Sequence, residues 1–540
     1  MNIIRTNNLR LYFLILILIF SVSVKSQEVS YRNPVIPGFY PDPSICRVGD
    51  HYYLVNSSFE YFPGVPIWES GDMVHWKQIG NVLDRSSQIP LVHTKPSNGI
   101  YASTIRNHNS IFYMVTTLVS GDKKYGNFYV TAKDPAGPWS EPIWVDQSGI
   151  DPSLFWDDDG RTYFVSNRGT KSSDPRAIYQ SEIDIKTGKR LSEIKEIWKG
   201  SGGSYVEGPH MYKKDGYYYL LTAEGGTSYG HTVAIARSKN IWGPYESCPY
   251  NPILTNRMTY GIIQGTGHAD MVQAADGSWW MVHLAFRPAV DGIHFIGRET
   301  CLTPVVWNAG EWPVVNKSGT TDEIVKIIPP DFEKKPQPFN TTNLDNFNET
   351  HLGNDWVYLR NPDSSYYSLS ARKGWLTLVG SKYNLCSLES PTFVAKRQQH
   401  FDMSVTAKMD FNPKKKNEEA GLTVLMTNLF HYDFFIKTNG KQRQLTVRYT
   451  LDSLNQVLRQ VPLNEGPVEL KVVGNKKEYI FSFRQKGDKE FKKLALLNTR
   501  FLGTEVTGGY NGVVIGLYAT GNDKLCTVPA YFDWFEYKPL

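Results

Sequence analysis

A short aromatic β-pattern recurs five times in the N-terminal part of the chain, and this repeat constrains the fold more than any other sequence feature. Each copy is four or five residues long, and most copies follow a Gly-Asp, Asp-Gly or Asn-Ser turn signal. The runs begin at residues 51, 111, 162, 217 and 278 (HYYLV, IFYMV, TYFV, YYYLL and SWWMV). A period of roughly 50 to 60 residues is typical of the four-stranded blades of a β-propeller.

Each aromatic run is preceded by another short strand, whose head is found by counting back about a dozen positions from the central aromatic residue. The heads aligned in this way are Asp42, Tyr101, Asp151, Glu207 and His268. Because the first strand of every blade lines the propeller axis, we expect these heads to meet at one mouth. An ordinary β-sandwich is the alternative, but it does not explain the matched spacing of aromatic and ionisable residues.

The sequence changes character after residue 325. Residues 326–340 are rich in proline and predict a semi-extended linker. Beyond them, segments such as 401–409 and 421–426 alternate apolar and polar residues, which indicates antiparallel strands with one buried face. The predicted fold class is therefore all-β, with a five-bladed β-propeller over residues 30–325 followed by a β-sandwich domain over residues 341–540.

Residues 1–26 have the composition of an export signal peptide. Arg5 and Arg10 precede an apolar stretch that ends near Val24, and small and polar residues follow at once. We therefore expect an exported protein, periplasmic or secreted, with no stable membrane insertion after signal cleavage. A signal anchor is the alternative, since the apolar stretch is only slightly too short to span a membrane.

Composition argues against two other classes of protein. The formal net charge is only +5 over 540 residues, with Lys and Arg dispersed, so a nucleic-acid partner has little support. The five cysteines are far apart and odd in number, so they indicate neither a metal site nor a dense disulfide framework. One or two disulfide bridges remain open at this point.

Three of the heads would bring carboxyl groups to one axis: Asp42, Asp151 and Glu207. Glycoside hydrolysis needs one carboxylic acid to protonate the leaving oxygen and one carboxylate to activate water or attack the anomeric carbon. Clustered carboxyl groups also push their pKa values apart, because neighbours resist ionising together. A divalent-cation site is the alternative for this trio. His268 is either a metal or water ligand on the axis or a core histidine.

Four motifs together resemble glycoside hydrolase family 43, in its β-xylosidase and α-L-arabinofuranosidase branch. They are residues 33–44 (NPVIPGFYPDPS), 151–153 (DPS), 207–210 (EGPH) and 297–299 (GRE). The resemblance covers nearly the whole chain after the leader, and it implies a five-bladed propeller that hydrolyses with inversion of the anomeric carbon. It also implies that Asp42 is the general base and Glu207 the general acid, with Asp151 orienting Glu207 and holding its pKa high.

The resemblance implies further pocket residues. Arg298 would contact sugar hydroxyls and carboxylates, Phe59 would form an aromatic wall, and Thr227 would be a small polar pocket residue. His268 would support a calcium ion or a water at the propeller centre, so the expectation is that no cofactor is required and that a structural calcium is compatible with the site. Tyr510, in a glycine-rich stretch of the sandwich domain, would lie over the pocket and favour the release of single terminal sugars.

One position departs from the family pattern. Where the family usually shows Trp-Ala-Pro at the second head, this chain has Tyr101-Ala102-Ser103, whose smaller wall and hydroxyl bear on sugar preference.

We therefore expect an exo-acting enzyme that releases terminal α-L-arabinofuranosyl residues from plant cell-wall oligosaccharides containing arabinose or xylose. A β-D-xylosidase, or a bifunctional enzyme, is the alternative within the family. A non-catalytic carbohydrate-binding propeller is a third reading, and the intact carboxylate trio argues against it. The motifs of a retaining fructosidase, Asn-Asp-Pro-Asn, Arg-Asp-Pro and Glu-Cys, are absent.

Overall fold

The computed structural model describes residues 30–119, 125–168, 176–333 and 342–540. The predicted export signal at residues 1–26 lies outside this range. The described residues contain no helix that is long and apolar enough to cross a membrane. Their helical segments are short, at Val290–Gly292, Ser364–Tyr366, Thr499–Leu502 and Thr504–Thr507, and the fold is otherwise built from β-strands.

The described part of the N-terminal domain forms five consecutive antiparallel sheets, each built outward in chain order. Blade 1 comprises Ser44–Val48, His51–Val55, Gly64–Ser70 and Lys77–Leu83, and blade 2 comprises Gly99–Ile100, Thr104–His108, Ile111–Val119, Gly126–Ala132 and Ile143–Trp144. Blade 3 comprises Ile150–Trp156, Thr162–Asn167, Ile178–Ile183 and Lys195–Trp198. Blade 4 comprises Glu207–Lys214, Tyr217–Glu224, Thr232–Ser238 and Glu246–Ser247, and blade 5 comprises Gln264–Gln273, Trp279–Phe286, Glu299–Val306 and Val314–Val315.

These sheets form a ring, which makes them the blades of a propeller. The innermost strand of each blade contacts that of the next blade, and the innermost strands of blades 5 and 1 also contact each other. A separate hydrophobic cluster fills each space between successive blades. Large aromatic side chains supply much of this packing, as Trp76 does between blades 5 and 1 and Trp139 does between blades 1 and 2.

The two ends of the propeller domain are joined directly. Tyr31–Arg32 pairs antiparallel with Ile324–Val325, and the Asn33 side chain donates a hydrogen bond to the Leu302 carbonyl (2.9 Å). The strand that ends at Val325 and the first sandwich strand, Asn343–Asp345, bracket the predicted linker at residues 326–340. Residues 334–340 of that linker lie outside the described residues.

The C-terminal domain is a sandwich of two antiparallel sheets. One has eight strands: Asn343–Asp345, Tyr367–Arg372, Trp375–Leu378, Met403–Asp410, Val468–Gly474, Glu478–Gln485, Lys492–Asn498 and Ala530–Pro539. The other has six: Thr392–Arg397, Glu419–Thr427, Phe430–Thr438, Arg443–Leu451, Leu454–Pro462 and Val514–Thr520. Alternate residues such as Val405 and Ala407 of the first sheet meet Leu422 and Val424 of the second in one core, as the sequence pattern predicts.

The two domains share an apolar interface behind the propeller mouth. Phe39, Phe59 and Tyr61 of the propeller belong to the same buried cluster as Phe393 and Tyr518 of the sandwich. A two-stranded sheet of Tyr61–Phe62 and Tyr358–Leu359 also crosses this boundary. The sandwich is therefore packed against the side of the mouth from which Phe59 projects.

Candidate active site

The strand register shows which residues occupy the same place in each blade. Five residues on the innermost strands pair with the second strands at corresponding positions: Ser44, Thr104, Ser153, His210 and Asp270. Two residues before them lie the structurally equivalent heads, which are Asp42, Ala102, Asp151, Gly208 and His268.

The alignment predicted from the sequence is therefore wrong by one residue in blades 2 and 4. Tyr101 and Glu207 each precede the equivalent head by one position, and in blade 4 the register shifts between Glu207 and His210. Asp42, Asp151 and His268 have φ values of 52°, 56° and 47°, a left-handed conformation that is uncommon for residues other than glycine. Backbone strain of this kind is concentrated at functional sites.

One cavity of about 970 Å³ lies at the propeller mouth. All nine residues predicted for the site line it: Asp42, Phe59, Tyr101, Asp151, Glu207, Thr227, His268, Arg298 and Tyr510. The structure therefore brings together every predicted residue, from all five blades and from the sandwich domain.

Asp42 is surrounded by groups that stabilise its ionised form. Its Oδ1 accepts a hydrogen bond from Arg298 Nη1 (2.9 Å), its Oδ2 accepts one from Ser57 Oγ (2.5 Å), and His268 Nδ1 lies 3.7 Å from Oδ1. Burial raises the pKa of Asp42, but Arg298, His268 and the Ser57 hydrogen bond outweigh it and bring the pKa below its ordinary value. Asp42 is therefore a carboxylate over most of the pH range.

Glu207 and Asp151 are in the opposite electrostatic situation. Burial and the nearby Asp42 raise the pKa of Glu207 to about 7, against the opposing effect of Arg298 and Arg176. Burial, Glu207 and Asp42 raise the pKa of Asp151 well above its ordinary value. These two carboxyl groups therefore retain a proton between them at neutral pH.

A backbone contact fixes Asp151 to the segment that carries Glu207. Asp151 Oδ2 accepts a hydrogen bond from the backbone N–H of Gly208 (3.2 Å). Gly208 has a φ of 58°, and a Cβ at this position would lie about 3.1 Å from the His268 ring. Glycine is thus required next to Glu207, both by the left-handed backbone and by the close approach of the histidine.

Arg298 links the pocket carboxylate to the polar wall and retains unused donors. Its Nη1 also donates to Thr227 Oγ1 (3.1 Å), while its guanidinium lies 5.5 Å from the Phe59 ring centroid and 5.4 Å from that of Tyr510. Nε and Nη2 are buried without a hydrogen-bond partner among the described residues. Since buried donors are rarely left unpaired, these two N–H groups fit the hydroxyls of a bound sugar.

Three aromatic rings form one wall of the cavity. The Phe59 centroid lies 5.4 Å from that of Tyr101 and 6.0 Å from that of Tyr510, while Phe39 stacks behind it at 5.6 Å. The Tyr101 hydroxyl donates a hydrogen bond to Asn98 Oδ1 (3.4 Å). The wall combines two domains, because Tyr510 comes from the sandwich.

Buried polar contacts hold the segment that carries Tyr510. Glu60 Oε1 accepts from Asn511 Nδ2 (2.6 Å) and Oε2 accepts from the Ser97 backbone N–H (3.1 Å), while Ser97 Oγ accepts from the Tyr510 backbone N–H (2.8 Å). A Cβ on Gly509, whose φ is 77°, would lie 2.3 Å from Ser97 Oγ. This close approach requires glycine and fixes Tyr510 over the pocket.

Deeper on the propeller axis, an arginine neutralises a buried carboxylate. Arg106 Nη1 donates to Asp270 Oδ2 (2.6 Å) and Nη2 to Oδ1 (3.1 Å), while Ser44 Oγ and Tyr212 OH each donate to the same carboxylate at 2.6 Å. Both carboxylate oxygens are thus occupied, and the described residues contain no cluster of three or more His, Cys, Asp or Glu suited to a metal ion. Asp270 is therefore already paired with a cation and with two hydroxyl donors.

Several contributors to the site were not predicted from the sequence. Arg176 acts electrostatically on Glu207 and lies 4.5 Å from the Tyr205 ring centroid, and both line the cavity. Ser57, the donor to Asp42, lies two residues before the predicted pocket residue Phe59. Tyr205 stands two residues before Glu207, so proximity to the acidic head was the available signal. Arg106 had no signal beyond being one arginine on an innermost strand.

The cavity is large enough for a sugar and holds carboxyl groups with lowered and with raised pKa values. An aromatic wall and the unpaired donors of an arginine lie beside them. Together these features define the molecule as a propeller glycosidase. Comparison with known proteins agrees with this class. Residues 31–313 match the model of glycosyl hydrolases family 43, and residues 344–538 match the beta xylosidase C-terminal concanavalin A-like domain. The chain therefore belongs to glycosyl hydrolases family 43.

Individual relatives match over nearly their full length. A non-reducing end alpha-L-arabinofuranosidase of Bacteroides ovatus is 42% identical over 99% of both chains. A xylosidase/arabinosidase of Butyrivibrio fibrisolvens is 40% identical over 93% of this chain and 98% of its own. A solved structure described as Bacteroides ovatus xyloglucan PUL GH43B is 42% identical, with a TM-score of 0.90 over 95% of this chain and 100% of its own.

Proposed function

We propose that this chain is an exo-acting α-L-arabinofuranosidase that releases terminal arabinofuranosyl residues by an inverting general acid/base mechanism. The observation that carries this proposal is the opposite protonation of two carboxyl groups in one cavity. The pKa of Asp42 lies below its ordinary value, and the pKa of Glu207 is raised to about 7. A base that is ionised and an acid that is protonated at the same pH are what single-displacement glycoside hydrolysis needs.

In the proposed step, Asp42 accepts a proton from a water molecule as that water attacks the anomeric carbon. The bond between the anomeric carbon and the leaving oxygen breaks, and Glu207 gives its proton to that oxygen. Asp151 positions Glu207 through the Gly208 N–H and, by its proximity, favours protonation of the pair. Exchange with solvent then returns the proton from Asp42 and restores the one on Glu207.

The substrate proposal rests on the pocket and on the relatives together. The unpaired N–H groups of Arg298 and the wall of Phe59, Tyr101 and Tyr510 fit the hydroxyl-bearing face and the apolar face of one terminal pentose. The relative named as an arabinofuranosidase and the structure named for xyloglucan favour arabinofuranosyl-bearing plant cell-wall oligosaccharides. The relative named xylosidase/arabinosidase favours β-D-xylosidase, or dual activity, as the second candidate.

A parallel assay distinguishes these substrates. Hydrolysis of an aryl α-L-arabinofuranoside should have a higher kcat/KM than hydrolysis of the matching aryl β-D-xyloside. A dominant xyloside rate would replace the preferred substrate with the second candidate and leave the residue roles intact.

The residue roles are tested by variants at the two proposed reacting groups. On an arabinofuranoside with a poor leaving group, Glu207→Gln and Asp42→Asn should each lower kcat/KM by about 10²–10⁴-fold, because each removes a proton-transfer group. Glu193→Gln, at an exposed site outside the cavity, is the matched control and should retain full activity. Equal measurable rates for wild type and Glu207→Gln would exclude Glu207 as the acid, whereas no hydrolysis by the wild type would favour a non-catalytic sugar-binding role for the pocket.

Export and metal independence complete the proposal. The composition of residues 1–26 supports export to the periplasm or the medium, and cell fractionation together with the N-terminal sequence of the mature protein would test it.

The Arg106–Asp270 pair supports hydrolysis without a metal cofactor, since the axial carboxylate is already neutralised.

A further inference from the structure

A second, smaller cavity of about 230 Å³ lies in the sandwich domain, lined by none of the residues of the propeller cavity. It is formed by the six-stranded sheet and the loop before strand Thr392–Arg397. Cys386, His431, Arg448 and Tyr518 contribute its chemically distinctive side chains. The cavity holds only a small molecule, in contrast to the sugar-sized pocket at the mouth.

Three side chains at this cavity form a chain of contacts. Cys386 Sγ lies 3.6 Å from His431 Nε2, and His431 Nδ1 lies 2.8 Å from Asp433 Oδ1. A thiol in reach of an imidazole that is itself held by a carboxylate is the arrangement of an activated nucleophile. His431 and Asp433 are buried, whereas Cys386 is partly exposed to solvent.

The surrounding charges favour a protonated imidazole. Burial opposes the charge, but the Asp433 carboxylate outweighs burial and raises the pKa of His431 to about 9. Arg448, on the neighbouring strand, donates to Asp433 Oδ2 through Nε (3.0 Å) and Nη2 (2.9 Å) and also pairs with Glu419 (3.0 Å). These contacts leave the second N–H of the imidazolium 3.6 Å from the sulfur, within reach of Cys386 Sγ.

An independent feature indicates that the cavity receives a ligand. Tyr518 is only 1% exposed, it lines the cavity, and its hydroxyl has no hydrogen-bond partner among the residues that the structure describes. A buried hydroxyl in this position offers a donor to a molecule beside Cys386.

The other four cysteines provide an internal contrast. All five are free, but Cys46, Cys248, Cys301 and Cys526 are buried. Burial raises the pKa of Cys46 and of Cys526 to about 12. Nothing comparable to the His431–Asp433 pair lies against them among the contacts of the described chain, so their thiols should be inert.

We propose that Cys386 is a nucleophilic thiol that takes small electrophiles and low-mass disulfides at this cavity, as a covalent modification site separate from glycoside hydrolysis. With a disulfide, Cys386 Sγ attacks one sulfur, a new S–S bond forms, and the original S–S bond breaks. The departing sulfur is reduced and takes a proton from His431 Nε2 or from water, while Cys386 is oxidised to a mixed disulfide.

The test uses the purified mature full-length chain and iodoacetamide, with peptide mass spectrometry to read each cysteine separately. At pH 7, Cys386 should react at least about 10-fold faster than the four buried cysteines and at least as fast as the free thiol of glutathione under the same conditions. Oxidised glutathione should then form one mixed disulfide, at Cys386.

Two variants assign the effect to the contact chain. Cys386→Ser should remove the labelling and leave arabinofuranoside hydrolysis unchanged. His431→Gln should slow the alkylation of Cys386 by about 10-fold or more at pH 7, because it removes the imidazole that faces the sulfur. If His431→Gln does not fold, the wild-type rate measured against free glutathione decides alone. Failure to label Cys386 in the folded protein, or a rate well below that of glutathione, would overturn the proposal without bearing on the glycosidase assignment.

Discussion

The two ends of the innermost propeller strands hold carboxyl groups in opposite states of protonation. At the deep end, Asp270 accepts hydrogen bonds from both Nη atoms of Arg106 and from two hydroxyl groups. Burial raises the pKa of Asp270, but these partners outweigh burial and lower it. At the mouth, Asp151 is buried and Glu207 is half-buried, and burial together with the neighbouring carboxyl groups raises the pKa of both. Hydrogen-bond and ion-pair partners therefore decide which of these carboxyl groups can act as an acid.

The same difference separates the residues that stabilise the fold from those that form the candidate active site. The deep end is a fully paired ionic network that ties together blades 1, 2, 4 and 5 through Ser44, Arg106, Tyr212 and Asp270. At the mouth, Arg298 Nε and Nη2 have no hydrogen-bond partner among the described residues, and buried donors of this kind cost stability.

Removing the axial cation should have the largest effect on stability. Arg106→Met leaves the Asp270 carboxylate buried without its counter-charge, and we expect a loss of about 3–5 kcal/mol in the free energy of unfolding. Urea denaturation at pH 7 measures it. Arg161→Met, at a solvent-exposed arginine paired with Asp159 (3.4 Å), is the control and should change stability by about 1 kcal/mol or less. Equal losses in both variants would contradict the structural role of the axial pair.

Replacing the acid Glu207 at the mouth should raise the free energy of unfolding rather than lower it. The raised pKa of Glu207, about 7, means that the folded state holds a proton that the unfolded chain has already lost, so its stabilising contribution disappears as pH rises from about 4.5 through 7. Glu207→Gln should therefore raise the free energy of unfolding by roughly 1–3 kcal/mol at pH 8 and by almost nothing at pH 4. Denaturation of wild type and variant at both pH values checks this, and a stabilisation independent of pH would refute the cause.

The aromatic wall should contribute less. Tyr510→Ala removes the ring that the sandwich domain places over the pocket, and we expect KM to rise about 10-fold with a smaller change in kcat, because substrate binding is affected rather than proton transfer. Tyr510→Phe keeps the ring and should stay within about 2-fold of wild type. Steady-state kinetics on an aryl arabinofuranoside provide the measurement, and a loss confined to kcat would place Tyr510 in the chemical step instead.

Removal of divalent metal should have the smallest effect. Dialysis against EDTA should leave kcat and KM unchanged, because Arg106 already neutralises the axial carboxylate. Activity lost on chelation and restored by calcium would show that the pocket uses an ion after all.

The fold could be predicted from the sequence because the repeat reflects the regular burial pattern of β-strands. The five aromatic runs form the second strands of the five sheets, from His51–Val55 in the first to Trp279–Phe286 in the last. Hydrophobic alternation likewise located the sandwich strands, for example Met403–Asp410. Periodicity reports which face of a strand is buried, and both domains are built from that property.

The alignment predicted from the sequence was wrong by one residue in two blades, because it could not detect shifts in strand register. Counting from the aromatic runs treated Glu207 as the equivalent of Asp42, whereas Gly208 holds that place after a shift in register. Arg106 and Ser57 were not predicted, since their roles depend on a partner 164 residues away in one case and on a loop approach 15 residues away in the other. Single residues of this kind carry no periodic signal.

The central claim is that Glu207 donates the proton to the leaving group while Asp42 stays ionised. The most direct measurement compares kcat/KM for wild type and Glu207→Ala on two aryl arabinofuranosides, one with a poor and one with a good leaving group, across pH 4 to 9. For wild type on the poor leaving group, activity should fall as pH rises through about 7, the pKa of Glu207. Glu207→Ala should lose about 10²–10⁴-fold on that substrate and far less on the good leaving group, with no alkaline fall. Equal losses on both substrates would contradict the assignment of Glu207 as the acid.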